Sequence, residues 1–216
     1  MFILATLLAL ASPFAAASAA DHAAPSAPAT AHATLAATRT LAAKLARSGR
    51  GEASVTVTRE DPLGGPEQVD RGRLALEIPD RVRLEFPSTG EKLAVRGDGG
   101  EWVQPAHRQM VRIRPEQAGL AAWLWEVFLT GGSDAFAEQA LAERRYALEP
   151  RDGEAGLPER IEVTVDAKGL PEQVAFTGED GVAVRYRFKG WRFLAPKGSA
   201  AFKLPAPAGY TVVEMP

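Results

Sequence analysis

The segment GRLALEIPDRVRLEF, residues 72–86, alternates apolar and charged side chains with a period of two. Its apolar positions are Leu74, Leu76, Ile78, Val82, Leu84 and Phe86. Side chains of a β-strand point alternately to its two faces, so this pattern is typical of two strands with one apolar and one wet face. An even turn at Pro79-Asp80 would send the two apolar sets to opposite faces. We therefore predict an odd loop, such as Pro79–Arg81, which would place Ile78 opposite Val82.

Shorter stretches with the same alternation continue along the chain. Leu93 and Val95 precede the turn signal GDGG, and Trp102 follows it. Further candidate strands contain Val55 and Val57, Met110–Ile113, Tyr146 and Leu148, Ile161–Val165, Phe176, Val182, Val184, Tyr186, Phe188, Trp191, Phe193, Phe202, Leu204, Tyr210 and Val212. Short strands joined by tight turns are typical of an antiparallel sheet that curls. We predict a mainly β (α+β) fold, an incomplete curved antiparallel β-barrel with helices near the start and the middle of the chain.

Two segments change to helical spacing, residues 34–47 and residues 115–130. In the second, apolar side chains recur at intervals of three and four, namely Leu120, Trp123, Leu124, Val127 and Phe128. Pro115 suits the first turn of this helix, and Gly131-Gly132 suits its end. Trp125 lies off the stripe, which makes the apolar surface of the helix unusually wide. The following segment, SDAFAEQALAERR, predicts a second short helix.

The N-terminal residues 1–20 carry no charge, and an apolar stretch is followed by small residues. This is typical of a secretory signal peptide cleaved near Ala19, because the apolar core is shorter than a membrane span of roughly 20 residues. An uncleaved anchor is the alternative. The Ala/Pro-rich residues 21–33 predict a flexible leader, and residues 34–216 a single domain. In a bacterium with two membranes, the exported protein would be periplasmic.

Composition and motifs exclude several classes of function. The formal net charge is -2, which disfavours nucleic acid as a partner. There is no cysteine, hence no disulfide, thiolate metal site or cysteine nucleophile. No common catalytic or phosphate-binding motif is present, and His107, the only histidine after the leader, is more typical of a surface residue. The carboxylates alternate with apolar residues and are interpreted as wet strand faces. We therefore predict no catalytic residue, cofactor or metal site.

The order of the segments resembles the LolA family of periplasmic outer-membrane lipoprotein carriers. The resemblance rests on SGRGEASVTVTRE leading into GRLALEIPDRVRLEF, then EKLAVRGDGGEWV, a central apolar helix ending in Gly-Gly, and the C-terminal AAFKLPAPAGYTVVE. The family tends to have an arginine immediately before the proline of the hairpin. Here that position is Ile78, so no arginine role is carried over to this chain.

The resemblance implies a barrel with a helical lid and a cavity that holds acyl chains. Its wall would be Leu74, Leu76, Ile78, Val82, Leu84, Phe86, Leu93, Val95, Trp102, Phe176, Val184, Tyr186 and Phe188, and its lid Leu120, Trp123, Leu124, Val127 and Phe128. It further implies lipoproteins or related lipids as ligands, with an inner-membrane lipoprotein-releasing transporter and an outer-membrane lipoprotein acceptor as partners. We expect a monomer.

Two alternatives stay open. One is a LolA-fold lipid-binding or envelope-sensing module with other cargo. The other is a lipid hydrolase, for which only His107 offers a conventional base. Periodicity alone does not distinguish a filled core from a cavity.

Overall fold

A computed structural model describes residues 34–115, 119–151, 157–178 and 180–215, with residues 119–123 described as backbone only. The predicted signal peptide and leader lie outside these residues. The helices are α1 (Ala36–Ser48) and α2 (Gly119–Thr130). The strands are β1 (Arg50–Glu60), β2 (Gln68–Glu77), β3 (Arg81–Phe86), β4 (Glu91–Arg96), β5 (Gly99–Gln104), β6 (Gln109–Ile113), β7 (Phe136–Ala142), β8 (Arg145–Pro150), β9 (Ile161–Val165), β10 (Pro171–Thr177), β11 (Ala183–Leu194) and β12 (Thr211–Glu214). Two short 3₁₀ helices cover Pro105–His107 and Ser199–Phe202.

The strands form one curved sheet in the order β12-β6-β5-β4-β3-β2-β1-β11-β10-β9-β8-β7. Neighbours are antiparallel, except that β12 runs parallel to β6. The edge strands β12 and β7 do not pair with each other in the part of the chain that the structure describes. The prediction of an incomplete antiparallel barrel with an N-terminal and a central helix is therefore confirmed, with one parallel pair added at an edge.

The β2–β3 hairpin has an odd loop, as predicted, but a different register. Leu76 pairs with Val82 and Glu77 with Arg81, so the three loop residues are Ile78–Asp80. Ile78 leaves the ladder because its backbone N–H donates to the carbonyl oxygen of Gly49, at the end of α1, over 3.1 Å. The alternation of apolar and charged residues is sufficient to predict an odd loop. The exact register depends in addition on the hydrogen bond between Ile78 and Gly49.

The second short helix predicted from SDAFAEQALAERR is wrong. Residues 136–142 form strand β7, which pairs with β8 along its length. The backbone pairing with β8 outweighs the helix propensity of the alanines in this segment. Similarly, Phe202 ends a 3₁₀ helix instead of lying in a strand.

Strand β11 is longer than the pattern suggested, because a bulge joins two predicted segments. Its register against β1 shifts between Glu52 and Ser54. An extra residue in one strand changes which side chains share a face. Val184, Tyr186 and Phe188 lie at even positions before the bulge, and Trp191 and Phe193 at odd positions after it, all five packed into one core.

Helix α1 lies over the inner face of β1 and β8–β11 and contacts α2. Its residues Leu41 and Leu45 are fully buried in the core of the inner face. The outer face is partly covered by residues 195–204, which place Phe202 and Leu204 against the sheet. Among the described residues, no helix has the length and hydropathy of a membrane span.

Candidate functional site

Over residues 124–130, helix α2 is buried on most sides. Leu124, Trp125, Val127, Phe128 and Leu129 are each at most 7% exposed. Glu126 and Thr130 are exposed. A helix that is apolar around most of its circumference is covered on several sides. Trp125 lies off the stripe of three- and four-residue spacing, yet its side chain is 2% exposed and contacts the sheet, which agrees with the wide apolar surface expected for this helix.

The rings of α2 rest on a row of aromatic side chains that we call the aromatic ladder: Phe176, Tyr186, Phe188, Trp191 and Phe193. Consecutive ring centroids along this row are 5.8 to 6.4 Å apart. Trp125 meets the ring of Tyr186 edge-on at 6.3 Å, and Phe128 meets that of Phe188 at 6.0 Å. The aromatic contacts of α2 with the inner face are therefore concentrated on β11.

The structure brings the predicted wall and lid residues together. The side chains of Leu120 and Trp123 lie outside the described residues, and Ile78 is half-buried in its loop. Each of the other predicted residues is at most 5% exposed and belongs to the same core. In this conformation the described side chains of α2 are packed in one core with the side chains of the inner face.

Two clefts open elsewhere on the surface. One, of about 740 Å³, lies at the ends of β1, β10 and β11, where Phe176 and Val184 reach it beside Glu60, Arg160 and Arg185. The other, of about 570 Å³, lies between the sheet and residues 197–202 and is lined by a basic set: Arg50, Arg73, Arg83, Arg192 and Lys197. Leu74 lines the second cleft, and the other predicted wall residues besides Phe176 and Val184 line neither cleft.

The C-terminal end of α2 is fixed to α1. The backbone N–H of Leu35 donates to the carbonyl oxygen of Gly131 over 2.9 Å. Gly131 has a φ of 75°, and a Cβ added there would lie 2.7 Å from the Cβ of Ala42. Only glycine meets both requirements without strain. The predicted helix end at Gly131-Gly132 is thus confirmed, and it is the point at which α2 is held.

A polar cluster that the sequence interpretation missed lies on the inner face at one end of the barrel. Arg59 pairs with Asp70 at 3.2 Å, and both side chains are nearly buried. The indole N–H of Trp102 donates to the carboxylate of Glu91 over 2.8 Å. Burial raises the pKa of Glu91 above its usual value, opposed in part by this hydrogen bond and by the charge of Arg59.

The period of two contains the signal for this cluster. Arg59 follows Val55 and Val57 at the next inward position, Asp70 precedes Leu74 by four residues, and Glu91 precedes Leu93 by two. All three therefore occupy apolar-face positions of their strands. His107, the base considered for a hydrolase, is exposed in the 3₁₀ helix after β5.

No protein-family model and no curated protein matches the sequence. Solved structures do resemble it. An uncharacterized conserved protein from Thermus thermophilus is 16% identical with a TM-score of 0.49, and the match covers 83% of this chain and 97% of that one. A candidate outer membrane lipoprotein-sorting protein domain from Vibrio parahaemolyticus is 13% identical with a TM-score of 0.43, covering 76% and 95%.

A LolA superfamily protein from Nitrosomonas europaea is also similar, with 11% identity and a TM-score of 0.42, covering 77% of this chain and 97% of that one. At these values the likeness does not assign a function, which has to be argued from the chain's own residues.

Proposed function

We propose that this protein is a soluble periplasmic carrier that binds the acyl chains of lipoproteins, or of related lipids, between α2 and the inner face of the sheet. In this proposal it receives cargo from an inner-membrane lipoprotein-releasing transporter and passes it to an outer-membrane acceptor. The observation that carries the proposal is the aromatic ladder covered by an apolar helix. Acyl chains would take the place of the side chains of α2 on that ladder.

The energies of opening and of binding are of the same order. Exposing the five buried side chains of α2 that the structure describes would cost roughly 2 kcal/mol each, hence about 10 kcal/mol in all. Burying an acyl chain of about 15 methylenes would return roughly 12 kcal/mol at 0.8 kcal/mol per methylene. One chain therefore only offsets the opening, while two or three chains favour it. This balance supports a ligand with several acyl chains.

The attachment of α2 supports a hinged opening. Its C-terminal end is held to α1 through Gly131 and Leu35, whereas its contacts with the sheet are apolar side chains. Apolar contacts are not directional, so acyl chains can replace them without leaving a polar group unpaired. We expect α2 to move about Gly131 while α1 stays on the sheet.

Native mass spectrometry of the mature protein tests the proposal. The protein is incubated with a triacylated lipopeptide and with its monoacyl counterpart, and the bound fraction is measured for each. We expect the triacyl form to bind at least tenfold more tightly. Phe128→Glu should abolish binding, because a charge would face the aromatic ladder. Phe128→Ala serves where the glutamate variant fails to fold, and it should alter binding without adding a charge.

Leu63→Glu is the matched control, because Leu63 is 94% exposed and the same charge is added at a position outside the core. It should bind as the wild type does. A wild-type protein that remains free of lipid with every lipopeptide would contradict the carrier. That result would favour a sensing module whose core stays filled, the alternative supported by the burial of the described α2 side chains.

A further inference from the structure

The inner face holds two polar atoms that lack a hydrogen-bond partner among the described residues. They are Nη2 of Arg59 and the hydroxyl of Tyr186. Arg59 is 5% exposed and Tyr186 is 1% exposed. Arg59 uses Nη1 for Asp70, which leaves the second nitrogen unpaired. Buried polar groups are nearly always paired in folded proteins, so two such atoms on one face of the sheet require an explanation.

The two atoms belong to neighbouring side chains of one face. Tyr186 pairs with Val57 across β1 and β11, and Arg59 is two residues further along the same face as Val57. Arg59 and Tyr186 are therefore diagonal neighbours, a relation within reach of long side chains. Burial raises the pKa of Tyr186 to about 12, against the opposing charge of Arg59. The hydroxyl therefore stays protonated at neutral pH and is a donor.

Both atoms can donate, and a guanidinium nitrogen can only donate. A single acceptor oxygen between them would pair both. The charges of the neighbouring side chains determine whether a charged or an uncharged acceptor group is favoured there. Arg59 is already neutralised by Asp70, and Glu91 lies close enough for the charge of Arg59 to lower its pKa. A phosphate or carboxylate would add a further negative charge beside these two acids, whereas an uncharged carbonyl would not.

We infer that Arg59 and Tyr186 form a binding site for the uncharged carbonyl oxygen of an ester-linked or amide-linked acyl group. The inference rests on the proposed function, because Trp125 of α2 lies against the ring of Tyr186 and must move before a ligand reaches it. With the carbonyl held at Tyr186, the acyl chain would run along the aromatic ladder towards Trp191. The site selects acyl esters over free fatty acids and over ethers.

Paired ligands that differ only in the carbonyl test this site. Binding of 1,2-dipalmitoylglycerol and of its dihexadecyl ether analogue is measured by native mass spectrometry, and monopalmitoylglycerol is compared with palmitate. We expect the wild type to bind the diester about 3- to 10-fold more tightly than the diether, the range for one or two net hydrogen bonds. Monopalmitoylglycerol should bind more tightly than palmitate.

Tyr186→Phe removes one hydroxyl and keeps the ring. It should weaken diester binding about threefold and leave diether binding unchanged. Tyr210→Phe is the matched control, because Tyr210 packs in the small cluster on the outer face and should change neither ligand. Arg59→Met combined with Asp70→Leu removes the ion pair as a unit, and this double variant should keep only the diester preference of about threefold that the Tyr186 hydroxyl supplies.

The outcomes separate the two proposals. Equal binding of diester and diether by the wild type would overturn the carbonyl site and leave the carrier intact. An equal loss of both ligands in Tyr186→Phe would assign Tyr186 to packing and also overturn the site, as would tighter binding of palmitate than of monopalmitoylglycerol. Failure of the wild type to bind any of the four lipids would overturn both proposals.

Discussion

The sheet is covered on both faces, and the two covers are held in different ways. On the inner face, α2 contacts the aromatic ladder through apolar side chains. On the outer face, residues 195–204 are held by polar clamps: the Glu77 carboxylate accepts from the backbone N–H groups of Lys197 and Gly198 at 2.6 and 3.0 Å. Arg83 and Arg96 donate to the carbonyl oxygens of Ala201 and Phe202.

This difference separates a replaceable cover from a permanent one. A charge-assisted hydrogen bond requires one partner in one position, and its loss leaves a buried charge unpaired. An apolar contact accepts any apolar partner of suitable shape. A cover that must exchange with acyl chains is therefore expected to be apolar, and a cover that must stay is expected to be polar. The two faces of this sheet follow that division.

The largest expected effect comes from removing the Glu77 carboxylate, which accepts hydrogen bonds from Lys197 and Gly198 of the outer cover. Glu77 is fully buried and also accepts from Arg81 at 2.7 Å. Glu77→Ala would leave these three donors unpaired, and we expect the free energy of unfolding to fall by about 3 kcal/mol. Urea unfolding followed by tryptophan fluorescence measures this loss. Glu67→Ala, at an exposed position, is the control and should change stability by less than about 0.5 kcal/mol. A loss below about 1 kcal/mol in Glu77→Ala would remove the distinction between the covers.

Hydrogen exchange compares the opening of the two covers directly. If α2 opens without the rest of the fold, the amides of Leu124–Leu129 should exchange at least tenfold faster than those at the centre of β1 and β11, a difference of about 1.4 kcal/mol. The amides of Lys197 and Gly198, which donate to Glu77, should exchange at the same rate as the amides at the centre of β1 and β11. Bound lipid should slow exchange in α2. Exchange of α2 only on global unfolding would contradict a hinged opening.

A smaller effect is expected at α1, the helix proposed to stay in place. The carboxylate of Glu138 on β7 accepts from the backbone N–H groups of Ala36 and Ala37, each at 2.8 Å. These N–H groups belong to the first turn of α1 and have no acceptor within the helix. A negative charge near this end of a helix is also favourable. Glu138→Gln should lower the free energy of unfolding by about 1 kcal/mol in thermal denaturation. Glu143→Gln, exposed in the β7–β8 turn, is the control. An unchanged midpoint in Glu138→Gln would show that α1 is held by packing alone.

The inner face of the sheet was predictable, because the period of two is a direct consequence of strand geometry. Strands β2 and β3 follow it as expected, and Leu74, Leu84 and Phe86 are buried. The strand β7 was not predictable, since its partner β8 and the helix terminus capped by Glu138 are both supplied by tertiary structure. Trp125 was not included in the predicted lid because only the stripe was taken as lid, although the helix is covered on several sides.

The burial of charged residues is a second feature that the period-two pattern does not predict. Glu77 fits the wet face by position, yet it is buried because a segment about 120 residues away in sequence folds over it. Arg59, Asp70 and Glu91 lie at apolar-face positions, where a rule that assigns charge to the wet face overlooks them. In each case the periodic position was correct and the burial was set by a distant part of the chain. Position is local information, whereas burial is not.

The smallest expected effect contrasts the two buried carboxylates. Glu77 accepts three hydrogen bonds from the outer clamp, whereas Glu91 accepts one from Trp102, and burial raises its pKa. The folded protein therefore binds the proton of Glu91 more tightly than the unfolded chain does. The free energy of unfolding should accordingly rise as the pH falls from 7 through the raised pKa towards the usual value, where the gain is complete.

Glu91→Gln keeps a carbonyl oxygen for Trp102 and removes the charge. We expect this variant to be more stable than the wild type at pH 7 and to lose the rise in stability on acidification, measured by urea unfolding between pH 5 and 7. Glu67→Gln should keep the wild-type pH dependence, because Glu67 is exposed. A wild type whose stability falls steadily over this range, with the same slope in Glu91→Gln, would mean that Glu91 does not titrate there and that its pKa is not raised. Glu91 would then add its negative charge to that of Asp70 near Arg59, which would strengthen the exclusion of anionic ligands from the carbonyl site.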